Sequence, residues 1–195
     1  MVPPTLVQQP HPPVWIAAGR PEGIAYVGRS NYNLLLDQIG NIEETIERVR
    51  IYCDAQQAAG LPRDASRVGV TRSLNIVYNE TQRQAAYARR RETLKKIGEL
   101  ARKPEGYSPE SFADADIAAD DAALIGTPDE IVEQLKRLQA GGIEYVLLTN
   151  ATAERSSLET FAEKIMPHLT SGRAPALRSA LGRFPTGVTV VAAVG

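Results

Sequence analysis

Val14-Trp15-Ile16-Ala17-Ala18-Gly19-Arg20-Pro21-Glu22-Gly23 is the stretch on which the fold is decided. Five apolar residues in a row, closed by a glycine, read as a strand buried on both faces, the pattern of a parallel sheet. Pro21 then stands where a helix begins, because the first helical residue has no use for its amide hydrogen. Upstream, the five prolines between Met1 and Pro13 predict an extended approach. Downstream, a short helix over 21–28 leads to a second apolar run, Tyr32 to Leu36.

The same alternation repeats along the chain. Asn41 and Glu44 form a capping box, and Ile42, Ile46, Val49 and Cys53 share one face of a helix that Gly60 and Pro62 end. Val68 to Tyr78, rich in valine, isoleucine and threonine, predicts a third strand. Asn79 opens a long helix to about Arg102, with Ala86, Leu94, Ile97 and Ala101 facing inward. Residues 103–125 lack a period and read as an irregular excursion. Thr127-Pro128-Asp129-Glu130 is a second capping box, with Ile131, Leu135 and Leu138 as the buried stripe and Gly141-Gly142 as the stop. A fourth strand, Ile143 to Thr149, and a final helix, Ser157 to Leu169, complete four strand–helix units. Such units imply parallel strands with helices outside them, either a small doubly wound sheet or half of an eight-stranded barrel.

Composition bounds the function. With 43% hydrophobic and 23% charged residues, the 195-residue chain has ordinary globular make-up, and a net charge of -1 argues against nucleic acid or an anionic membrane as partner. The single cysteine excludes an intrachain disulfide and a multi-cysteine metal site. No run approaches the roughly 20 apolar residues of a membrane helix. The opening lacks the basic region and apolar stretch of a signal peptide. A soluble, cytoplasmic protein is expected.

Three segments carry a family resemblance. PHPPVWIAAGRPEGIAYVGRSNYNLLL (10–36) resembles the mid-barrel stretch of luciferase-like flavin-dependent monooxygenases. DDAALIGTPDEIVEQLKRLQAGGIEYVLLTN (120–150) is similar to the late "G-T-P-E" helix and last strand of that family, and SLETFAEKIMPHL (157–169) to its closing helix. Their order over about residues 8–169 is more specific than any one alone. The resemblance implies the second half, strands five to eight, of a (β/α)8 barrel using reduced FMN and molecular oxygen on a small organic substrate. A deazaflavin-dependent hydride-transfer oxidoreductase is the neighbouring possibility. Most catalytic side chains of that family lie in the other half, so no catalytic residue is named. The isolated chain is expected to be inactive and to form homo-oligomers or to associate with a complementary barrel half. After a linker at 170–175, ALRSALGRFPTGVTVVAAVG (176–195) resembles the opening of a flavin-reductase domain, implying NAD(P)H as the electron source. The helix (177–184) and strand (187–194) read there are the start of a separate unit, a strand with no partner in its own domain.

The candidate site is the turn formed by Ala18, Gly19, Arg20, Glu22 and Gly23. It sits at the C-terminal end of a strand, where barrel active sites form, and opens a helix whose free amides suit a phosphate. In the resembling family this turn meets the flavin phosphate through backbone amides and a serine or threonine. Here Arg20 and Gly23 stand at positions often hydroxylated, and Arg20 can supply a charged fork instead. The plainer reading is a strand-to-helix turn that needs glycine for its shape.

The other candidates read as structural. His11 and His168 lie too far apart in context to form a metal set, and Cys53 falls on an apolar helix face. Arg89-Arg90-Arg91 with Lys95-Lys96 reads as a solvated face, Asp114 to Asp121 as a solubilising stretch, and Trp15 as core packing.

Overall fold

Five parallel strands and their helices are built on the boundaries that the glycines, prolines and capping boxes mark. The computed structural model describes residues 13–101, 122–150, 154–169 and 190–193. Strand β1 (Trp15–Ala17) leads to α1 (Pro21–Arg29), β2 (Asn33–Leu36) to α2 (Ile42–Ala58), and β3 (Val68–Ile76) to α3 (Glu80–Ala101). Then come β4 (Leu124–Gly126), α4 (Pro128–Ala140), β5 (Tyr145–Asn150) and α5 (Arg155–Thr160). Both capping boxes close as read: Glu44 and Asn41 cap α2 reciprocally, and Glu130 and Thr127 cap α4. Beyond α2 and α4 the chain turns through left-handed glycines, Gly60 (φ 76°) and Gly142 (φ 93°), which other residues adopt at a cost.

The strands pair in parallel in the order β1-β2-β3-β5. Register is set by pairs such as Ile16 with Leu34, Leu35 with Gly69 and Val70 with Val146. Strand β4 begins in the last two residues of the stretch read as irregular, and pairs with Leu74–Ile76 beyond the point where β2 leaves β3 at Val70. Three residues directly before a cap are too few for any periodicity to reveal. The closing helix also departs from a regular one. After Thr160 it widens into a π-turn over Phe161–Ile165 and tightens to a 3-10 turn over Met166–His168. Pro167 explains the change, since it cannot donate to the turn before it and its ring crowds that turn.

Alternation along the strands sorts two faces. Leu34, Leu36, Val68, Val70, Leu74, Val146 and Leu148 share a buried core with Ile24 and Val27 of α1, Val49, Tyr52 and Cys53 of α2, and Ile131, Leu135 and Leu138 of α4. Each such side chain contributes about 1.5–3 kcal/mol by leaving water. Tyr52 keeps its hydroxyl satisfied there, donating to Tyr32 O at 2.7 Å and accepting from Gln56 Nε2 at 3.2 Å. The opposite face carries Trp15, Leu35, Gly69, Tyr145 and Leu147. Trp15 is therefore not core: it stays 41% exposed, its ring edge-on to Tyr145 at 5.8 Å. Gly69 leaves it room, since a Cβ there would sit 3.1 Å from the indole. Among the described residues the helices cover one face only, the layering of a barrel wall; a doubly wound sheet covers both.

Of the C-terminal segment, only Val190–Ala193 is described. This strand, β6, runs antiparallel along β5 and pairs with Tyr145–Leu148. The linker and residues 176–189 lie outside the described residues.

Candidate functional site

Parallel strands bring their C-terminal ends to one rim, and the Ala18–Gly23 turn lies on it. Ala18 N still donates to Leu35 O at 3.3 Å, and Ile24 N to Arg20 O at 3.0 Å. Arg20 is the N-cap of α1, with extended backbone (φ -87°, ψ 146°) and no capping bond from its side chain. Its guanidinium is exposed, as is Glu22 in the first turn, whereas Ala18, Gly19 and Gly23 are half-buried. Pro21 has no amide hydrogen to offer. The turn thus presents backbone and one cation at the positive end of a nine-residue helix.

The loop after β2 forms the neighbouring wall, with Asp37 two residues past Leu35 as Gly19 is two past its partner Ala17. A Cβ on Gly19 would stand 2.9 Å from Asp37 Oδ2, so glycine lets that carboxylate lean on the turn. Asp37 Oδ1 accepts from the amides of Ile39 (2.9 Å) and Gly40 (3.3 Å), and Arg48 Nη1 reaches Oδ2 at 3.1 Å.

Beneath this loop lies a residue that the sequence did not single out. Arg72, 1% exposed on the helix-facing side of β3, donates Nη1 to Asp37 O (3.1 Å) and Thr71 O (3.0 Å). Its Nη2 donates to Gly40 O (3.1 Å) and Thr45 Oγ1 (2.6 Å). Burial pushes its pKa down to about 10, against the pull of Asp37, with Arg90 and Arg48 lowering it further. Arg90 comes from the basic run read as a solvated face, yet it is 5% exposed and donates to Gln38 O at 2.6 Å. Burial lowers its pKa as well. Three carbonyls of the loop backbone, those of Asp37, Gln38 and Gly40, are thereby held by two guanidiniums. The only hint in the sequence is a lone charged residue in the strand VGVTRSLNI, at an alternate position shared with Val68, Val70 and Leu74.

Elsewhere the assignments are simpler. Cys53 is buried, and burial raises its thiol pKa. His168 is exposed in the last helical turn, while His11 and Asp114 to Asp121 lie outside the described residues. Among the described residues, no three His, Cys, Asp or Glu side chains group as metal ligands, and no helix is long and apolar enough to cross a membrane.

With this geometry in hand, comparison decides the family. The model of the luciferase-like monooxygenase family matches residues 1–145. The chain belongs to the luciferase-like monooxygenase family. Solved structures similar to this family member share its fold. One is the monooxygenase RslO1 from Streptomyces bottropensis, at 21% identity and TM-score 0.59, covering 86% of this chain and 51% of that one. Another is the oxygenating constituent of 3,6-diketocamphane monooxygenase from the CAM plasmid of Pseudomonas putida, in complex with FMN. It has 16% identity and TM-score 0.57, covering 82% and 49%. A third is an F420-dependent secondary alcohol dehydrogenase in complex with an F420–acetone adduct, at 15% identity and TM-score 0.63, covering 84% and 50%. The chain spans about half the length of these structures. Sequence comparison with curated proteins finds no relative. The described strands and helices therefore form part of a luciferase-like barrel.

Proposed function

We propose that this chain is the second half of a flavin-dependent monooxygenase barrel, with the FMN phosphate held at Ala18, Gly19, Arg20, Glu22 and Gly23. The observation that carries the reading is the turn itself: glycine-shaped, at the C-terminal rim, opening α1, with a cation at the N-cap. Backbone amides of Gly19 and Arg20 would hold the phosphate, with the Arg20 guanidinium beside it. Reduced flavin, when bound, supplies the electrons with which molecular oxygen is activated and a small organic substrate oxidised. The residues of this chain bind and orient its phosphate end. The reductase part of the proposal, with NAD(P)H as donor, is supported by the sequence of residues 176–195.

The test is an FMN titration by fluorescence quenching of wild type and Arg20→Glu. Reversing the charge is expected to cost about 1–3 kcal/mol of affinity, the loss of a charged hydrogen bond with added repulsion. An unchanged dissociation constant would make the turn merely structural.

Two further readings have their own support. The F420-dependent dehydrogenase has the same fold, so a deazaflavin in the same place is the neighbouring reading. Absorbance of the loaded protein near 450 nm indicates flavin, and near 420 nm deazaflavin. The exposed Trp15 face favours a non-catalytic role in which the half-barrel closes against a complementary half or a second copy. Sedimentation across micromolar concentrations reads that association directly.

A further inference from the structure

A carboxylate beside a phosphate-binding turn is a liability, because two negative groups at close range repel across a partly desolvated surface. Glu22 in the first turn of α1 is exposed to water, which screens its charge, whereas Asp37 is part-buried against the turn and is such a group. Its Oδ2 fills the space where a Gly19 side chain would be. The loop amides of Ile39 and Gly40 bond to Oδ1, while Oδ2, the oxygen facing the turn, is met by Arg48 Nη1 at 3.1 Å. Arg72 feels the Asp37 charge from beneath, but its hydrogen bonds and that of Arg90 go to the carbonyls of Asp37, Gly40 and Gln38, which leaves Arg48 as the cation bonded to the carboxylate itself. Arg48 is only partly buried, at 20% side-chain exposure against 31% for Asp37. The space is tight: a Cβ on Gly40 would meet Arg48 Nη1 at 3.0 Å and Glu44 Oε2 at 3.2 Å. Glu44 is engaged in the capping box, its Oε2 accepting from Asn41 N at 3.0 Å, so it is not the principal partner of Arg48.

We infer that Arg48 is a positioning residue for the anion site: by pairing with Asp37 it neutralises the carboxylate that leans on Gly19, so that the turn accepts a phosphate. The inference rests on the reading that the Gly19–Gly23 turn binds the phosphate. It makes the selectivity of the turn a property of the Asp37–Arg48 pair, which lies on a different strand–helix unit from the turn itself.

FMN and riboflavin differ only in the phosphate, so titrating both against the 195-residue chain by fluorescence quenching isolates that group. Arg48→Gln is expected to weaken FMN about 10-fold while moving riboflavin by less than about 2-fold. Asp37→Asn/Arg48→Gln is expected to regain most of the FMN affinity. Asp37→Asn alone, which leaves Arg48 free to face the turn, is expected to bind FMN several-fold more tightly than wild type. This variant also keeps the test decisive if Arg48→Gln folds poorly by circular dichroism. Equal weakening of both flavins by Arg48→Gln, or a double variant as weak as the single one, would assign Arg48 to loop structure and overturn the inference alone. A wild type that binds FMN no more tightly than riboflavin, or binds neither, removes the phosphate reading and the inference with it.

Discussion

Replacing Arg72 with Met deletes the guanidinium that ties the β2–α2 loop to the sheet, and the structure allows its worth to be bounded. Three of its four hydrogen bonds leave its own strand, to Asp37 O, Gly40 O and Thr45 Oγ1. Bonds to a charged donor are worth about 1.5–3 kcal/mol each, so their loss removes about 5–9 kcal/mol. Against this, burial holds the Arg72 pKa down to about 10, which corresponds to about 3 kcal/mol against the charged form in the fold. Methionine escapes that cost. The difference is a net loss of about 2–6 kcal/mol, and the lower half of that range is expected because freed loop carbonyls regain water. Urea unfolding at pH 7, followed by circular dichroism, measures it. Arg72→Lys should fall between, since one ammonium cannot replace a fork that reaches both Asp37 O and Gly40 O. The sign with pH follows from the same value. The charge opposes folding at every pH below about 10, and that opposition fades only as pH rises above it. An Arg72→Met variant within about 0.5 kcal/mol of wild type would refute the reasoning, because the loop would then stand without its anchor.

Two further outcomes test the packing. A Cβ on Gly28 would lie 2.6 Å from the carbonyl oxygen of Tyr52, so Gly28→Ala must push α1 off α2. The expected cost is about 2–3 kcal/mol, a melting temperature lower by about 4–10 °C, and a rise instead would contradict the contact. Burial raises the Cys53 thiol pKa, so the folded chain should resist maleimide at pH 7.5 and label only in urea, whereas prompt labelling would mean that α2 opens.

What could be read in the sequence was what is local. The boxes Asn41/Glu44 and Thr127/Glu130 announce their helices because cap and partner are three residues apart. The strands around Trp15, Leu34, Val70 and Val146 announce themselves by apolar runs. Runs do not say which face is covered, so the sequence places Trp15 in the core while the fold sets it on the open side. Arg72 and its loop acceptors are 27 to 35 residues apart, and Arg90 and Gln38 are 52 apart, so no spacing in the chain links them. Asp37 carries no signal of its own for the same reason: its bearing on Gly19 comes from strand register. The turn at Ala18–Gly23 could be located because glycine, proline and a strand end coincide there. The charges that govern it come from other strands and helices.

A strand edge is a single-occupancy site, and on β5 it is already taken. Val190–Ala193 pairs with Tyr145–Leu148 in the antiparallel sense, whereas every other pairing in this sheet is parallel. A tethered segment competes at an effective concentration on the order of millimolar, set by the length of its tether. Any strand that extended the parallel order past β5 would have to win an exchange against this resident competitor. Growth of the sheet on that side is therefore governed by displacement, whereas at β1 a newcomer finds no strand paired among the described residues.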